Sequence, residues 1–231
     1  MTGDRRFIRS VRDMARMVEE YGFLPFFSAG IPGFSIEEHT PSDLYFVKDV
    51  DGPWEWKGPV IRMTGAAYGK FFSGKAGYIR ADLFTHFANY RRDGYDIDAR
   101  FADGLARKRD LDLVMTLDRV GPCLSKRLRL EAGYGRRGGG EGHLKGFDTA
   151  VTRMQMQCYI LTSDFVYMTG KDGVPYGWGV AEYSTPEQYF GEPFAEKAYS
   201  CTPEDSYAYL FDFLREKLPE ADEKHIRAIL G

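Results

Sequence analysis

Cysteine and histidine are scarce in this chain, and a net positive charge is missing. Its three cysteines, Cys123, Cys158 and Cys201, stand far apart with no CxxC pair. That odd number supports neither a disulfide framework nor a zinc knuckle, and it fits a reducing compartment. Four histidines, His39, His86, His143 and His225, are scattered without ligand spacing, so no metal site is expected. No apolar run approaches the ~20 residues that a membrane-spanning helix needs, so no membrane partnership is expected. The first twelve residues are charged and lack a signal peptide's apolar core, which predicts a cytoplasmic chain. Neither a Gly-x-Ser-x-Gly elbow nor a P-loop is present. Gly135-Arg136-Arg137-Gly138-Gly139-Gly140 lacks the P-loop's Lys-Ser/Thr pair and reads as a tether, not a nucleotide cradle. No cofactor is expected.

What is there suits a globular protein. The 231 residues can bury a sizeable core, with 43% hydrophobic, 15% aromatic and 28% charged residues. The net charge of -3 hides an uneven distribution. From Arg107 to Arg153 there are 11 Lys/Arg against 6 Asp/Glu, whereas after Ala181 there are 5 against 11. A basic centre inside an acidic chain points to a local polyanion site, or simply to a solvated charge run.

Periodicity predicts a first helix from about Arg5 to Glu20, capped by Asp4 and ended by Gly22, with Phe7, Val11, Met14, Ala15 and Val18 on one stripe. Ser28 to Ser35 reads as loop. Val60–Met63 and Ala76–Ile79 read as short strands, Arg80–Tyr90 as a helix, and the charged run Arg91–Arg109 as a linker. No repeat is evident in the sequence.

From Leu111 to Tyr183 the pattern is helix, helix, helix, strand, turn, strand, the order of a winged helix. The first of these helices carries Leu113, Val114, Leu117 and Val120 inward and stops at Gly121-Pro122. Ser125 can cap the second, which buries Leu124, Leu128 and Ala132. The third starts near Gly146 and buries Phe147, Ala150, Val151 and Met154. Its opposite face carries Thr149, Thr152, Arg153 and Met156, the candidates for base edges. Lys126, Arg129, Arg136, Arg137 and Lys145 are the candidate phosphate contacts. Strands over Tyr159–Met168 and Val174–Tyr183 turn at Lys171-Asp172-Gly173. Thr202, Pro203 and Asp205 start a helix with Tyr207, Leu210, Phe211, Leu214 and Leu218 on one face, and a last helix spans Glu223–Leu230.

Two further groups invite chemistry. Glu37 and Glu38 beside His39 could serve as acid or base, but fit solvated loop charge better. Trp54, Trp56, Tyr68, Phe71, Phe72 and Tyr78 could stack on an unstacked base, or form the core of a small sheet.

Gly146-Phe147-Asp148-Thr149-Ala150, leading to Met154-Gln155-Met156-Gln157 and then Tyr176-Gly177-Trp178, resembles the bacterial AlkZ-related proteins, relatives of the AlkZ/YcaQ winged-helix DNA glycosylases. Trp54-Glu55-Trp56-Lys57 and Ala66-Ala67-Tyr68-Gly69-Lys70-Phe71-Phe72 resemble the same group. The resemblance implies tandem winged-helix-like units around a DNA-binding concavity. In active members it implies a Gln-x-Gln or Gln-x-Asp motif that positions water for base excision. On an early strand, where that motif is expected, this chain reads Tyr21-Gly22-Phe23-Leu24-Pro25-Phe26-Phe27 and has neither of the motif's two polar groups. Gln155 and Gln157 are the alternative catalytic pair, but residues two apart on a helix point about 200° apart and cannot share one sugar.

The expected fold is therefore α+β, in three parts: a mixed N-terminal region (1–105), itself a candidate winged-helix-like unit, a winged helix (106–190) and C-terminal helices (191–231). The expected function is binding of double-stranded DNA, linked to repair and without glycosylase activity. An active monofunctional glycosylase for alkylated or crosslinked bases is the first alternative. A winged helix used for protein contact, through the acidic C-terminal region, is the second.

Overall fold

The computed structural model describes residues 7–48, 50–135, 145–170 and 175–231. Asp4, Arg136, Arg137, His143 and the turn Lys171-Asp172-Gly173, all singled out above, lie outside the described residues.

Helix α1 (Val11–Tyr21) starts at Ser10, later than the periodicity suggests. The Ser10 hydroxyl accepts the Asp13 amide and donates to the Asp13 carboxylate, so one side-chain pair satisfies the helix start. Phe7 therefore falls off the buried stripe and is exposed, while Ile8 is buried in its place. Gly22, at φ 72°, closes the helix and leads into β1 (Phe23–Pro25).

After a one-turn α2 (Ile36–His39) comes α3 (Lys57–Thr64), where the sequence pattern suggests a strand over Val60–Met63. A run of four residues does not separate the two periods. Val60 and Ile61 are adjacent yet both buried, which suits a helix face and not a half-exposed strand. Pro59 stands in the first turn, where its missing amide costs no hydrogen bond, and Gly65 ends the helix in the left-handed region.

Strands β2 (Ala67–Phe72) and β3 (Lys75–Ile79) form a hairpin, followed by α4 (Ala81–Arg92). The presumed linker contains α5 (Ile97–Ala102), capped by the Asp96 carboxylate. Then come α6 (Lys108–Val120), β4 (Cys123–Leu124), α7 (Ser125–Glu131), α8 (Phe147–Met156), β5 (Leu161–Thr169) and β6 (Pro175–Ser184). Leu124, not Ser125, holds the cap position of α7 and makes no side-chain cap bond. The chain ends in α9 (Pro186–Phe190), α10 (Glu192–Lys197), α11 (Pro203–Lys217) and α12 (Glu223–Leu230).

The strands form one antiparallel six-stranded sheet in the order β1-β3-β2-β5-β6-β4. That order exposes a repeat the sequence does not display. Helix, short strand, helix, helix, strand, strand occurs first as α1-β1-α2-α3-β2-β3 and again as α6-β4-α7-α8-β5-β6. In each unit the short strand pairs with the last strand, and the last with the one before it. The units join edge to edge through β2 and β5, where Tyr68 faces Thr162.

The first unit's strands are buried on both faces. Phe23, Ala67 and Ile79 enter one core, and their neighbours Leu24, Tyr68 and Tyr78 enter another, as the two-residue period requires. This double burial hides β2 from a search for alternation. The second core packs against α1 and α3. The first packs against α4 and against Phe194, Leu210, Leu214, Ile226, Ile229 and Leu230 from the C-terminal helices. Those helices thus share a core with the N-terminal region. Gly77 keeps the hairpin flush on β1, because a Cβ there would fall 2.6 Å from the Leu24 carbonyl oxygen. The aromatic residues Tyr68, Phe71, Phe72 and Tyr78 are buried in this sheet. Trp54 and Trp56 are half-buried beside it. A third core, from α6, β4, α7 and α8, belongs to the second unit and contains the expected Leu113, Leu117, Leu128, Phe147, Val151 and Met154.

Candidate nucleic-acid interface

Helix α8 carries the face singled out from the sequence. Gly146, at φ 86°, starts it with a left-handed residue, and Phe147, Ala150, Val151 and Met154 turn inward. Thr149 is exposed near its N-terminus, and Lys145 is exposed just before it. Further along, the helix becomes the floor of an open groove of about 630 Å³ lined by Lys70, Arg91, Asp148, Thr149, Thr152, Arg153, Met156 and Gln157. One wall belongs to the first unit. The Lys70 ammonium from β2 donates to the Thr152 hydroxyl at 3.3 Å, and that hydroxyl donates to the Asp148 carbonyl at 2.8 Å. Gly74, at the β2–β3 turn, also faces Thr152; a Cβ there would lie 3.8 Å from its methyl group.

Arg153 does not reach out freely. Its Nε donates to Asp110 at 2.8 Å, and its Nη2 pairs with the other oxygen of the same carboxylate. The Asp110 side chain is only 3% exposed. Hydrogen bonding to Asp110 raises the Arg153 pKa above its ordinary value. The pair fastens α6 to α8 and compensates the charge of a residue that the sequence marks as a candidate for base edges.

Arg129 on α7 pairs with Asp148 at 3.0 Å and lies 4.5 Å over the Phe147 ring, so it clamps α7 to the start of α8. Lys126 is exposed on the same short helix. Lys126, Lys145 and Thr149 thus stay on the surface, whereas Arg129 and Arg153 each hold a carboxylate.

The two candidate catalytic amides are not brought together. Gln155 is 2% exposed. Its carbonyl oxygen accepts the Lys70 amide at 3.2 Å, and its nitrogen donates to the Thr162 hydroxyl at 3.1 Å. It is a bridge between α8, β2 and β5, where the two units meet. Gln157 caps the C-terminus of α8 and lines the groove. On β1 and just beyond it, Phe23, Leu24 and Phe26 are all buried apolar side chains.

The remaining candidates brace loops and helices. Glu37 accepts the Ser28 amide, and Glu38 accepts the Gly33 amide and the Ser35 hydroxyl. His86 Nδ1 lies 3.2 Å from Ser206 Oγ, which lies 3.2 Å from Cys201 Sγ. Asn89 donates to the same fully buried Ser206, so this cluster fastens α11 to α4. Burial lowers the His86 pKa. Some of the acidic residues toward the C-terminus have partners within the fold: Asp205 accepts the Thr202 hydroxyl at the start of α11, Glu223 holds Arg215 and Arg227, and Glu187 holds Arg92. A protein partner at this region draws no support from that arrangement. Among the described residues, no group of three or more His, Cys, Asp or Glu side chains is placed to hold a metal ion, and no helix is long and apolar enough to cross a membrane.

Lys70, Arg91 and Asp110 join the site only in the folded chain. Lys70 has a visible signal in the sequence, a lone lysine inside the apolar run Ala67–Phe72. Arg91 and Asp110 have none, because only the folded arrangement brings α4 and α6 to α8. A family model described as AlkZ related matches residues 8–231. No curated protein and no solved structure matches the chain.

Proposed function

The chain belongs to the AlkZ-related family, over nearly its whole length, and on that footing we propose that it is a DNA-repair protein that binds duplex DNA through paired winged-helix units and does not excise bases. The observation that carries this reading is the repeat. The two units share one element order and one pattern of strand pairing, which supports reading each as a winged helix, with α8 proposed as the recognition helix of the second. The exposed N-terminal end of α8, with Thr149, Lys145 and Lys126 on the surface, supports a docking face for phosphates and base edges. Arg136 and Arg137 are proposed to add phosphate contacts from the neighbouring segment. The groove side of α8, with Thr152, Arg153 and Met156, continues that face.

Absence of base excision is supported by the state of the amides. Excision needs polar groups aimed at the sugar or at the attacking water beside an unstacked base. Gln155 has both amide atoms engaged within the fold, which leaves Gln157 without a paired amide.

Titrating a fluorescent duplex at several salt concentrations tests the binding. Each neutralised phosphate contributes about -0.9 to the slope of log affinity against log salt. Lys126→Ala with Lys145→Ala should flatten the slope by about 0.9 for each phosphate no longer neutralised. Binding that is absent at low salt, or indifferent to salt, overturns the reading. Arg153→Ala is a poor probe, because it strands the buried Asp110 carboxylate. A parallel incubation with DNA carrying N7-alkylated purines, followed by cleavage at abasic sites, should show only spontaneous base release. Release above that rate which disappears in Gln157→Ala would instead establish an active glycosylase with its site in the groove.

A further inference from the structure

We infer that the groove between α8 and the first unit is a phosphate site, with Lys70 and Arg91 as its charged donors. Two of the charged groups in the groove already hold each other's opposites. Arg153 is held by Asp110, and Asp148 is held by Arg129. Lys70 and Arg91 remain. Lys70 donates to a hydroxyl, and Arg91 Nη2 donates to the Phe71 carbonyl at 3.3 Å. No carboxylate is paired with either among the described residues. Arg91 Nε is buried and has no acceptor among the described residues. Burial lowers the Arg91 pKa, as expected for a guanidinium taken from water without a counter-charge. Two cations without a carboxylate partner among the described residues, both lining one open groove, point to an anion that arrives with a ligand.

The geometry fixes what that ligand is. A guanidinium, an ammonium and the Thr149 and Thr152 hydroxyls converge on one concavity. Guanidinium pairs with phosphate through two parallel hydrogen bonds, an ammonium adds a point charge, and the Thr149 hydroxyl donates to a remaining oxygen, the Thr152 proton being engaged with the Asp148 carbonyl. Arg91 is held in place from behind: its guanidinium lies 4.9 Å over the Phe87 ring and packs so closely on Gly231 that an added Cβ there would overlap it. The site is composite, since Lys70 and Arg91 come from the first unit and the helix that follows it, and the threonines from the second. A phosphate bound there adds a further tie across a junction already spanned by the Tyr68–Thr162 pair, Gln155, the Arg62–Asp164 ion pair and the Tyr68–Phe165 ring contact. The groove is open, which suits a phosphate carried on a nucleic-acid strand, and this identification of the carrier rests on the DNA-binding reading. Two sources share the chemistry: a phosphodiester within the strand, or a terminal phosphate at a break.

The test uses the full chain and the variant Lys70→Met with Arg91→Met, which keeps both apolar stems. Duplexes of one sequence are prepared with and without a 5′-phosphate. If the ligand is an internal phosphodiester, the variant should flatten the salt slope by about 0.9 on both duplexes and weaken binding about tenfold at 0.15 M salt. If it is a terminal phosphate, only the phosphorylated duplex should respond. An unchanged slope and affinity on both duplexes, with Lys126 and Lys145 still contributing, overturns the phosphate site and leaves the DNA reading intact. Inorganic phosphate provides an arm independent of DNA. Amide NMR signals of Lys70, Thr149 and Thr152 in the unmodified protein should shift with phosphate but not with chloride at equal ionic strength. If DNA does not bind, that shift keeps the anion site while the DNA reading falls; absence of the shift overturns the site.

Discussion

Replacing Glu187 with alanine should destabilise the protein by about 3–5 kcal/mol, the cost of leaving a buried cation without its partner. Arg92 is 2% exposed and stands in none of the proposed contact surfaces. Its Nη1 donates to Glu187 at 2.6 Å and to the Tyr199 hydroxyl at 2.9 Å. Nε and Nη2 both donate to the Cys158 carbonyl, at 3.3 and 2.8 Å, and the guanidinium lies 4.7 Å over the Tyr159 ring. Desolvation alone would lower the Arg92 pKa, but Glu187 and Tyr199 more than offset it, and the group is held firmly charged. Cys158 has φ 60°, a left-handed conformation uncommon for a side-chain-bearing residue, and Arg92 grips the carbonyl of that turn just after α8. Arg92→Met should cost less, because Glu187 is already 40% exposed and can turn to water, leaving mainly the Cys158 carbonyl unpaired at about 1–3 kcal/mol. Glu187→Gln should fall between the two. Urea denaturation of the three variants checks the order. A larger destabilisation by Arg92→Met than by Glu187→Ala would show that the carbonyl interaction, not the ion pair, dominates.

That hub also shows where the sequence stops being legible. Arg91 to Arg109 is dense in charge and reads as a linker, yet Arg92 is among the most deeply buried side chains in the chain. A buried arginine is intelligible only with its partners, and Glu187 and Cys158 are 95 and 66 residues away. Helix α8, by contrast, is readable to its first residue. Gly146 breaks the preceding segment, and one amphipathic stripe meets one core. Helix α3 passes for a strand because so short an apolar run fits two periods. Strand β2 escapes a search for alternation because two cores bury both its faces. The repeat is invisible because it resides in element order and strand pairing, which different residues satisfy in each unit. The candidate interface is half legible for the same reason: α8 shows its outer face locally, while Lys70 and Arg91 reach it only through packing around the first unit.

Between pH 7 and 9.5 Lys57 should contribute about 2 kcal/mol of added stability, read as the difference between the protein and its Lys57→Met variant. Lys57 begins α3 and is 5% exposed. Its Nζ lies 3.3 Å from the Trp54 ring centroid and 4.3 Å from that of Phe165. Desolvation pushes its pKa down to about 8 from an ordinary value of 10.5, with Glu55 opposing the shift. Below pH 8 the amine is protonated in both folded and unfolded chains, and the fold carries the full burden of a buried charge. Between 8 and 10.5 the unfolded chain binds more protons than the folded one, so stability rises with pH in that window. The tyrosines act oppositely. Burial raises the pKa of Tyr68 and Tyr78, so their unfolded forms release protons first, from about pH 10 upward. Burial likewise raises the pKa of Cys158, to about 12, and of Cys123, so their unfolded forms release protons within the same window; the measurement is confined to pH 7–9.5 and read as a difference in which cysteines and tyrosines cancel. Lys57→Met should remove the rise while keeping the stem's packing, and should itself be more stable than the unmodified protein at pH 7. The two aromatic faces favour the ammonium by roughly 0.5–2 kcal/mol, which reduces the variant's gain at pH 7 by that amount. Chemical denaturation of both proteins at pH 7 and 9.5 separates the contributions, because the tyrosines cancel in the difference. A variant that is less stable at pH 7, with an unchanged pH slope, would mean that the rings hold Lys57 as a cation more strongly than burial opposes it.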